Sequence, residues 1–130
     1  MKYSKLIDKA IDMMNYSYAP YSGFKVGAAL LCKDGSVYGG CNVEGSSYGN
    51  TICAERTALV KAVSEGKKEF EAIAVSASSD DFCTPCGICR QMLADFGLDL
   101  IVLCCNQKGE FIEKRLFDLL PMAFTGESLK

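Results

Sequence analysis

Helix-period and strand-period segments alternate along this chain in an order that leaves few folds open. Leu6, Ile7, Ala10, Ile11 and Met14 recur at helical spacing, which predicts an amphipathic helix from about Ser4 to Tyr16. Tyr18-Ala19-Pro20-Tyr21-Ser22-Gly23 ends it with turn chemistry. From Phe24 to Cys32 the pattern changes to strict alternation, with Phe24, Val26, Ala28, Leu30 and Cys32 on one face. Asp34-Gly35 is a hairpin turn, and Ser36 to Val43 is the returning strand. After a Gly/Ser-rich loop, Asn50 or Thr51 caps a helix running to about Ser64, with a small-residue stripe of Ala54, Ala58 and Ala62. Phe70 to Ser76 is a buried strand, and Pro85 opens a helix to about Phe96. Leu98 to Cys105 is a strand, Phe111-Ile112 begins another, and Leu116 to Leu120 suggest a short last helix. The order α-β-β-α-β-α-β-β-α predicts an α/β domain over residues 1–130, one mixed sheet covered by helices.

Composition narrows the class. The chain carries 14 basic and 16 acidic residues, well mixed, so no basic stripe marks a nucleic-acid partner. Its apolar stretches are strand-length, far below the roughly 18 residues of a membrane span. Met1-Lys2-Tyr3-Ser4-Lys5 leads into an amphipathic pattern and not an apolar signal core, so a cytoplasmic protein is expected. Without a secretory signal, Asn15-Tyr16-Ser17 is a chance match to the glycosylation pattern. With Gly counted in place of Tyr, the apolar share is about 54%, slightly above the usual range of about 45–50%. That excess hints at surface covered by a partner subunit.

Cysteine carries the chemical information. There are eight, and no histidine at all. In a reducing compartment, close cysteine pairs point to metal or redox chemistry more often than to bridges. Without histidine, a metal site must use thiolates and carboxylates, and Ser/His or Cys/His nucleophile pairs are impossible. Cys32, Cys41, Cys104 and Cys105 lie on strand-like stretches and are expected to be small buried hydrophobes.

Two segments stand out, Cys53-Ala54-Glu55-Arg56 and Pro85-Cys86-Gly87-Ile88-Cys89-Arg90-Gln91, both at expected helix starts. Cys86 and Cys89 share one face of a first turn, and tetrahedral zinc needs about 2.3 Å to each sulfur. Helix N-termini favour anions and so support metallation of thiols. Cys53 is the natural third ligand, which leaves a fourth position for water, the pattern of a catalytic site. Around a helix end Glu55 reaches the same metal region, where a carboxylate serves as general base and then general acid. Arg56 is placed to hydrogen-bond the Cys53 sulfur and offset excess thiolate charge.

Other readings of the same residues stand beside this one. Cys83 is available as a fourth protein ligand for a structural zinc, and Cys83-x-x-Cys86-x-x-Cys89 superficially looks like an iron–sulfur run. The trailing Cys-Pro of such runs is missing, since Arg90 to Leu93 follow. From pattern alone Phe24 is a core residue, and Asn42 and Glu44 belong to a solvated turn. Tyr48 reads as loop surface, and Phe124 as an apolar anchor for the tail.

With Phe24-Lys25-Val26-Gly27-Ala28-Ala29, Asn42-Val43-Glu44 and the two cysteine segments, the chain closely resembles the small cytidine deaminases of the three-cysteine zinc class. The resemblance runs nearly end to end. It implies a three-layer fold, with a mixed five-stranded sheet packed between helices. It also implies one Zn²⁺ per subunit on Cys53, Cys86 and Cys89, with Glu55 as proton shuttle and Arg56 tempering the thiolate charge. Phe24 matches the aromatic against the pyrimidine, Asn42 and Glu44 the pair on the ribose 3′-hydroxyl, and the Ala54 backbone the donor to the base carbonyl. Homotetramers are implied, in which Tyr48 and Phe124 are supplied to neighbouring sites. The implied reaction is hydrolysis of cytidine and deoxycytidine to uridine, deoxyuridine and ammonia. Blasticidin S deaminases share the three cysteines. Phe24, Glu44 and Arg56 separate this chain from them.

Overall fold

The computed structural model describes residues 2–47 and 49–129, and Tyr48 lies outside them. The elements follow the expected order. They are α1 (Ser4–Met13), β1 (Val26–Cys32), β2 (Val37–Cys41), α2 (Ala54–Ser64), β3 (Phe70–Ala77), α3 (Gly87–Ala94), β4 (Ile101–Cys105), β5 (Phe111–Arg115) and α4 (Leu116–Leu119). The strands form one sheet in the order β2-β1-β3-β4-β5. β3 and β4 run parallel, and every other neighbouring pair is antiparallel. This is the mixed five-stranded α/β architecture the residue pattern and the resemblance imply.

Two cores lie on the two faces of that sheet. One face packs Tyr3, Leu6, Ile7 and Ala10 of the N-terminal segment on Ala29, Ala72, Ala74 and Leu103. The opposite face packs α2, α3 and α4 on Ala28, Leu30, Ile73, Val75 and Val102. The period-2 alternation of a strand sends Ala72 and Ala74 one way and Ile73 and Val75 the other. The smaller residues therefore face α1, and the larger ones fill the space under α2 and α3. Close approach is enforced by glycine. A Cβ at Gly27 would stand 2.0 Å from the Ala10 carbonyl oxygen, and one at Gly40 would stand 2.5 Å from the Ala58 nitrogen. The alanine stripe of α2 is thus pressed on the hairpin it follows.

Several boundaries differ from expectation, each for a tertiary reason. α1 stops at Met13 and tightens into a 3₁₀ turn over Met14–Tyr16, because Tyr18 leaves to bridge Val43. α2 begins at Ala54 and not beside Asn50 or Thr51. Ile52 and Val43 exchange two backbone hydrogen bonds of 2.9 Å, which holds the chain extended up to Cys53. Pro85 lies before the N-cap of α3, which is Cys86, so the cap and the first metal-type ligand of that segment coincide. β1 begins two residues after Phe24, and β5 runs three residues further than expected, to Arg115.

The cysteine expectation needs one correction. Cys32, Cys104 and Cys105 are buried, but Cys41 is half-buried. It ends the edge strand β2, where only one neighbouring strand covers it, and its thiol donates to the Tyr16 carbonyl at 3.3 Å. Among the described residues, no helix is long and apolar enough to cross a membrane.

Candidate metal centre and substrate cleft

The two helices on the same face of the sheet present their N-termini to one another, each capped by a cysteine in extended conformation, Cys53 for α2 and Cys86 for α3. Cys89, one turn into α3, completes a group of three whose sulfurs all lie within 4.8 Å of one another. Cys53 Sγ is 3.6 Å from Cys86 Sγ, which is 3.5 Å from Cys89 Sγ. Sulfurs at about 2.3 Å on a tetrahedral zinc are about 3.8 Å apart, so these separations fit that ion with little adjustment. Three protein ligands leave the fourth corner open. Cys83, the alternative fourth ligand, is not in the group. It packs against the larger core, where burial pushes its thiol up to about 12.

The electrostatics suit metallation. The Cys53 thiol is held down to about 5, first by a hydrogen bond with Cys89 and then by Arg56, against the opposing effect of burial. Cys89 is driven up in turn, by that same Cys53 bond first and by burial next. The Arg56 guanidinium donates to Cys53 Sγ at 3.8 Å and to the Thr51 carbonyl at 3.1 Å, while its buried Nε has no protein partner among the described residues. Arg56 therefore stands where the sequence pattern puts it, beside the sulfur whose charge it offsets. Metal binding displaces the remaining thiol protons, so this preset charge lowers the cost of loading.

The sulfurs of Cys53 and Cys86 open onto a cleft of about 210 Å³. Phe24, Asn42, Ala54 and Glu55 line it, so four further expected residues converge on one space. A larger cleft of about 350 Å³ lies beside Lys33, Asp34 and Lys67, with the single cysteine Cys32 in its lining and no cluster of thiols. Glu55 is 4% exposed, and burial pushes its carboxyl above the usual range, partly offset by hydrogen bonding. Phe24 is 47% exposed, so the core reading of its strand pattern fails. It precedes β1 and stands at the mouth of the cleft.

Asn42 and Glu44 act on the segment that carries Phe24. Asn42 is buried; its Nδ2 donates to the Phe24 carbonyl at 2.8 Å, and its Oδ1 accepts from Val26 N at 3.0 Å and from the Ser17 hydroxyl. One side chain thus grips the backbone on both sides of Lys25. Glu44 is not in the cleft lining. Its Oε1 accepts from Tyr21 N at 3.0 Å and Ser22 N at 3.1 Å, and its Oε2 from the Ser22 hydroxyl. Phe124 is 59% exposed and outside the cleft of its own chain; its carbonyl accepts from Gln91 Nε2 at 2.5 Å.

Sequence reasoning missed Val26, Thr51 and Thr84 in the lining, and took Cys83 only as a ligand. It also missed the hydroxyls of Ser17 and Ser22. None carries a local signal, since each gains its place through partners far along the chain.

A sheet that brings two cysteine-capped helix ends over a cleft with a buried carboxyl defines a thiolate metal centre of the catalytic kind. Comparison with known proteins assigns that class a family. Residues 1–105 match the family model for the cytidine and deoxycytidylate deaminase zinc-binding region. The cytidine deaminase of Sporosarcina psychrophila is 47% identical over 130 residues, covering 99% of this chain and 96% of that protein. That of Halalkalibacterium halodurans is 50% identical over 125 residues, covering 95% of each. The crystal structure of cytidine deaminase from Burkholderia pseudomallei superposes with a TM-score of 0.91 at 46% identity, covering 95% of this chain and 100% of that one. The chain belongs to the zinc-dependent cytidine and deoxycytidylate deaminase family.

Proposed function

We propose that this chain is a cytidine deaminase, converting cytidine and deoxycytidine to uridine and deoxyuridine with release of ammonia, a pyrimidine-salvage reaction. The observation that carries the reading is a cluster of three thiols, two of whose residues line the same cleft as a buried carboxyl and Phe24. Zinc held by Cys53, Cys86 and Cys89 supplies the Lewis acidity that makes water a nucleophile at neutral pH.

The chain's own residues do the rest. Glu55 takes a proton from the attacking water as its oxygen bonds to C4 of the pyrimidine. It delivers that proton to N3. It then takes the remaining proton from the C4 hydroxyl of the tetrahedral adduct and passes it to the amine, whose bond to C4 breaks as ammonia leaves. A carboxyl raised by burial is suited to this, because a weaker acid is a stronger base for the water proton and still returns it. Phe24 packs on the base, the Ala54 N–H donates to the base carbonyl, and Asn42 and Glu44 hold the ribose 3′-hydroxyl. Since the 2′-position is not read, both sugars are accepted. Arg56 withdraws charge from the Cys53 thiolate, keeping three thiolates from quenching the Lewis acid.

The proposal extends to a cytoplasmic homotetramer of single-domain subunits, residues 1–130 each, in which Tyr48 and Phe124 complete neighbouring sites. The 59% exposure of Phe124 supports that reading. Nucleic acid and membrane are not expected partners, given the mixed charge. The test is the ultraviolet change on converting cytidine to uridine, run beside blasticidin S and a Glu55→Ala control. Cytidine turnover that vanishes in the control supports substrate and shuttle together. Turnover of blasticidin S alone overturns the substrate assignment.

A further inference from the structure

We propose that Ser22 is a positioning residue that couples Glu44 to Phe24 through its single hydroxyl, setting the sugar grip and the base platform as one unit. The inference rests on the cytidine reading and on the roles given there to those two side chains. The Ser22 hydroxyl donates to Glu44 Oε2, and the same oxygen accepts from Phe24 N at 3.0 Å. Partner chemistry dictates both directions. A carboxylate has no proton to give, and a backbone N–H has no lone pair to offer. One hydroxyl therefore spends its donor on the acid and an acceptor site on the aromatic residue's backbone.

The local chain makes this reach possible. Gly23 has φ of +70°, a left-handed conformation that turns the chain back so that Ser22 faces the N–H two residues on. The Gly23 N–H is itself tied to the Ala19 carbonyl at 2.9 Å. Of the donors closing on Glu44, two are backbone groups that survive any substitution, and the Ser22 hydroxyl is the one that a substitution removes. That hydroxyl is also the first cause holding the Glu44 carboxyl below its ordinary value. On the far side, Asn42 holds the Phe24 carbonyl. Phe24 is thus gripped at its N–H through Ser22 and at its C=O by Asn42. The thiols and Glu55 lie on other elements, so loss of the hydroxyl disturbs binding and leaves the reacting groups in place.

The test compares wild type, Ser22→Ala and Ser22→Thr in steady-state assays on cytidine and on 3′-deoxycytidine, with zinc content and Tm measured for each. Loosening the sugar grip and the base platform together weakens binding in ground state and transition state alike, which raises KM about tenfold with kcat within about threefold. Ser22→Ala is expected to show this on cytidine at unchanged zinc and Tm, and Ser22→Thr to restore KM to within about threefold of wild type. On 3′-deoxycytidine, which lacks the hydroxyl assigned to Glu44, the alanine variant is expected to raise KM by a smaller factor. An unchanged KM, an equal rise on both substrates, a fall in kcat alone, or no rescue by threonine overturns the proposal. Wild-type protein that leaves cytidine untouched removes the cytidine reading, and this coupling with it. Normal wild-type turnover with an unaltered alanine variant removes the coupling alone.

Discussion

Cys53 Sγ and Cys86 Sγ lie 3.6 Å apart although the residues are separated by 33 positions. Each caps a different helix, and the two caps meet because α2, seated on β1 and β2, packs against α3 on the same face of the sheet. Holding three thiols this close without a cation is unfavourable once more than one of them ionises, so the ion and the fold support each other.

Replacement of Cys89 by Ala should therefore abolish zinc retention and turnover together. Chelation of the wild-type protein should lower its Tm by at least about 5 °C, since a tightly held ligand contributes several kcal/mol. The variant should show little further shift on chelation. Metal analysis and thermal unfolding, with and without chelator, measure both.

Glu55→Gln separates chemistry from assembly. Its carboxyl is 4% exposed and raised by burial, so a neutral amide of equal size suits that environment. Zinc content and Tm should be kept or slightly increased, while kcat falls by about 10²–10⁴-fold through loss of the proton carrier. Turnover near wild type would assign proton transfer to another group.

Asn42→Ala tests the clamp on the Phe24 segment. The change strands the Phe24 carbonyl, the Val26 N–H and the Ser17 hydroxyl, of which the first two lose bonds of 2.8 and 3.0 Å. Urea unfolding should show a loss of about 2–4 kcal/mol, from unsatisfied groups at about 1–3 kcal/mol each with partial rehydration. KM should rise as well, because the aromatic platform loses its anchor.

Tyr3 supplies a pH dependence remote from the site. Its hydroxyl donates to Glu71 at 2.8 Å, and its pKa is pushed up to about 12, by burial first and then by that hydrogen bond. The folded state thus keeps the phenol proton where the unfolded chain, near its ordinary value of 10.0, gives it up. The stabilisation is fully present below that value and is lost as pH rises from there through the folded pKa. Between pH 9 and 12 the Tm of wild type should fall more steeply than that of Tyr3→Phe. Parallel decline of the two would remove Tyr3 as the cause.

The legibility of this protein follows the range of the interactions involved. Element order and the two faces of the sheet were readable, because periodicity and turn residues act within a few positions. So were Cys86 and Cys89, since i and i+3 share a helical turn whatever the surroundings, and Glu55 and Arg56, which follow Cys53 on the same helix start. Phe24 was misjudged by its own pattern, because alternation cannot tell a residue shortly before a strand from the first one in it. Cys41 looked as buried as Cys32, because pattern alone does not say which strand lies at an edge.

What the sequence by itself determined, then, is the set of elements and the chemistry each helix start carries. Only the tertiary structure decided that the two starts face one another, that Asn42 and Glu44 grip the turn before β1, and that Ser17 and Ser22 complete those grips. These partners lie 16 or more residues apart, from Val26 with Asn42 to Cys53 with Cys86. Their meeting depends on strand order and register, which arise from burying both faces of the sheet at once. No local stretch of residues carries that information.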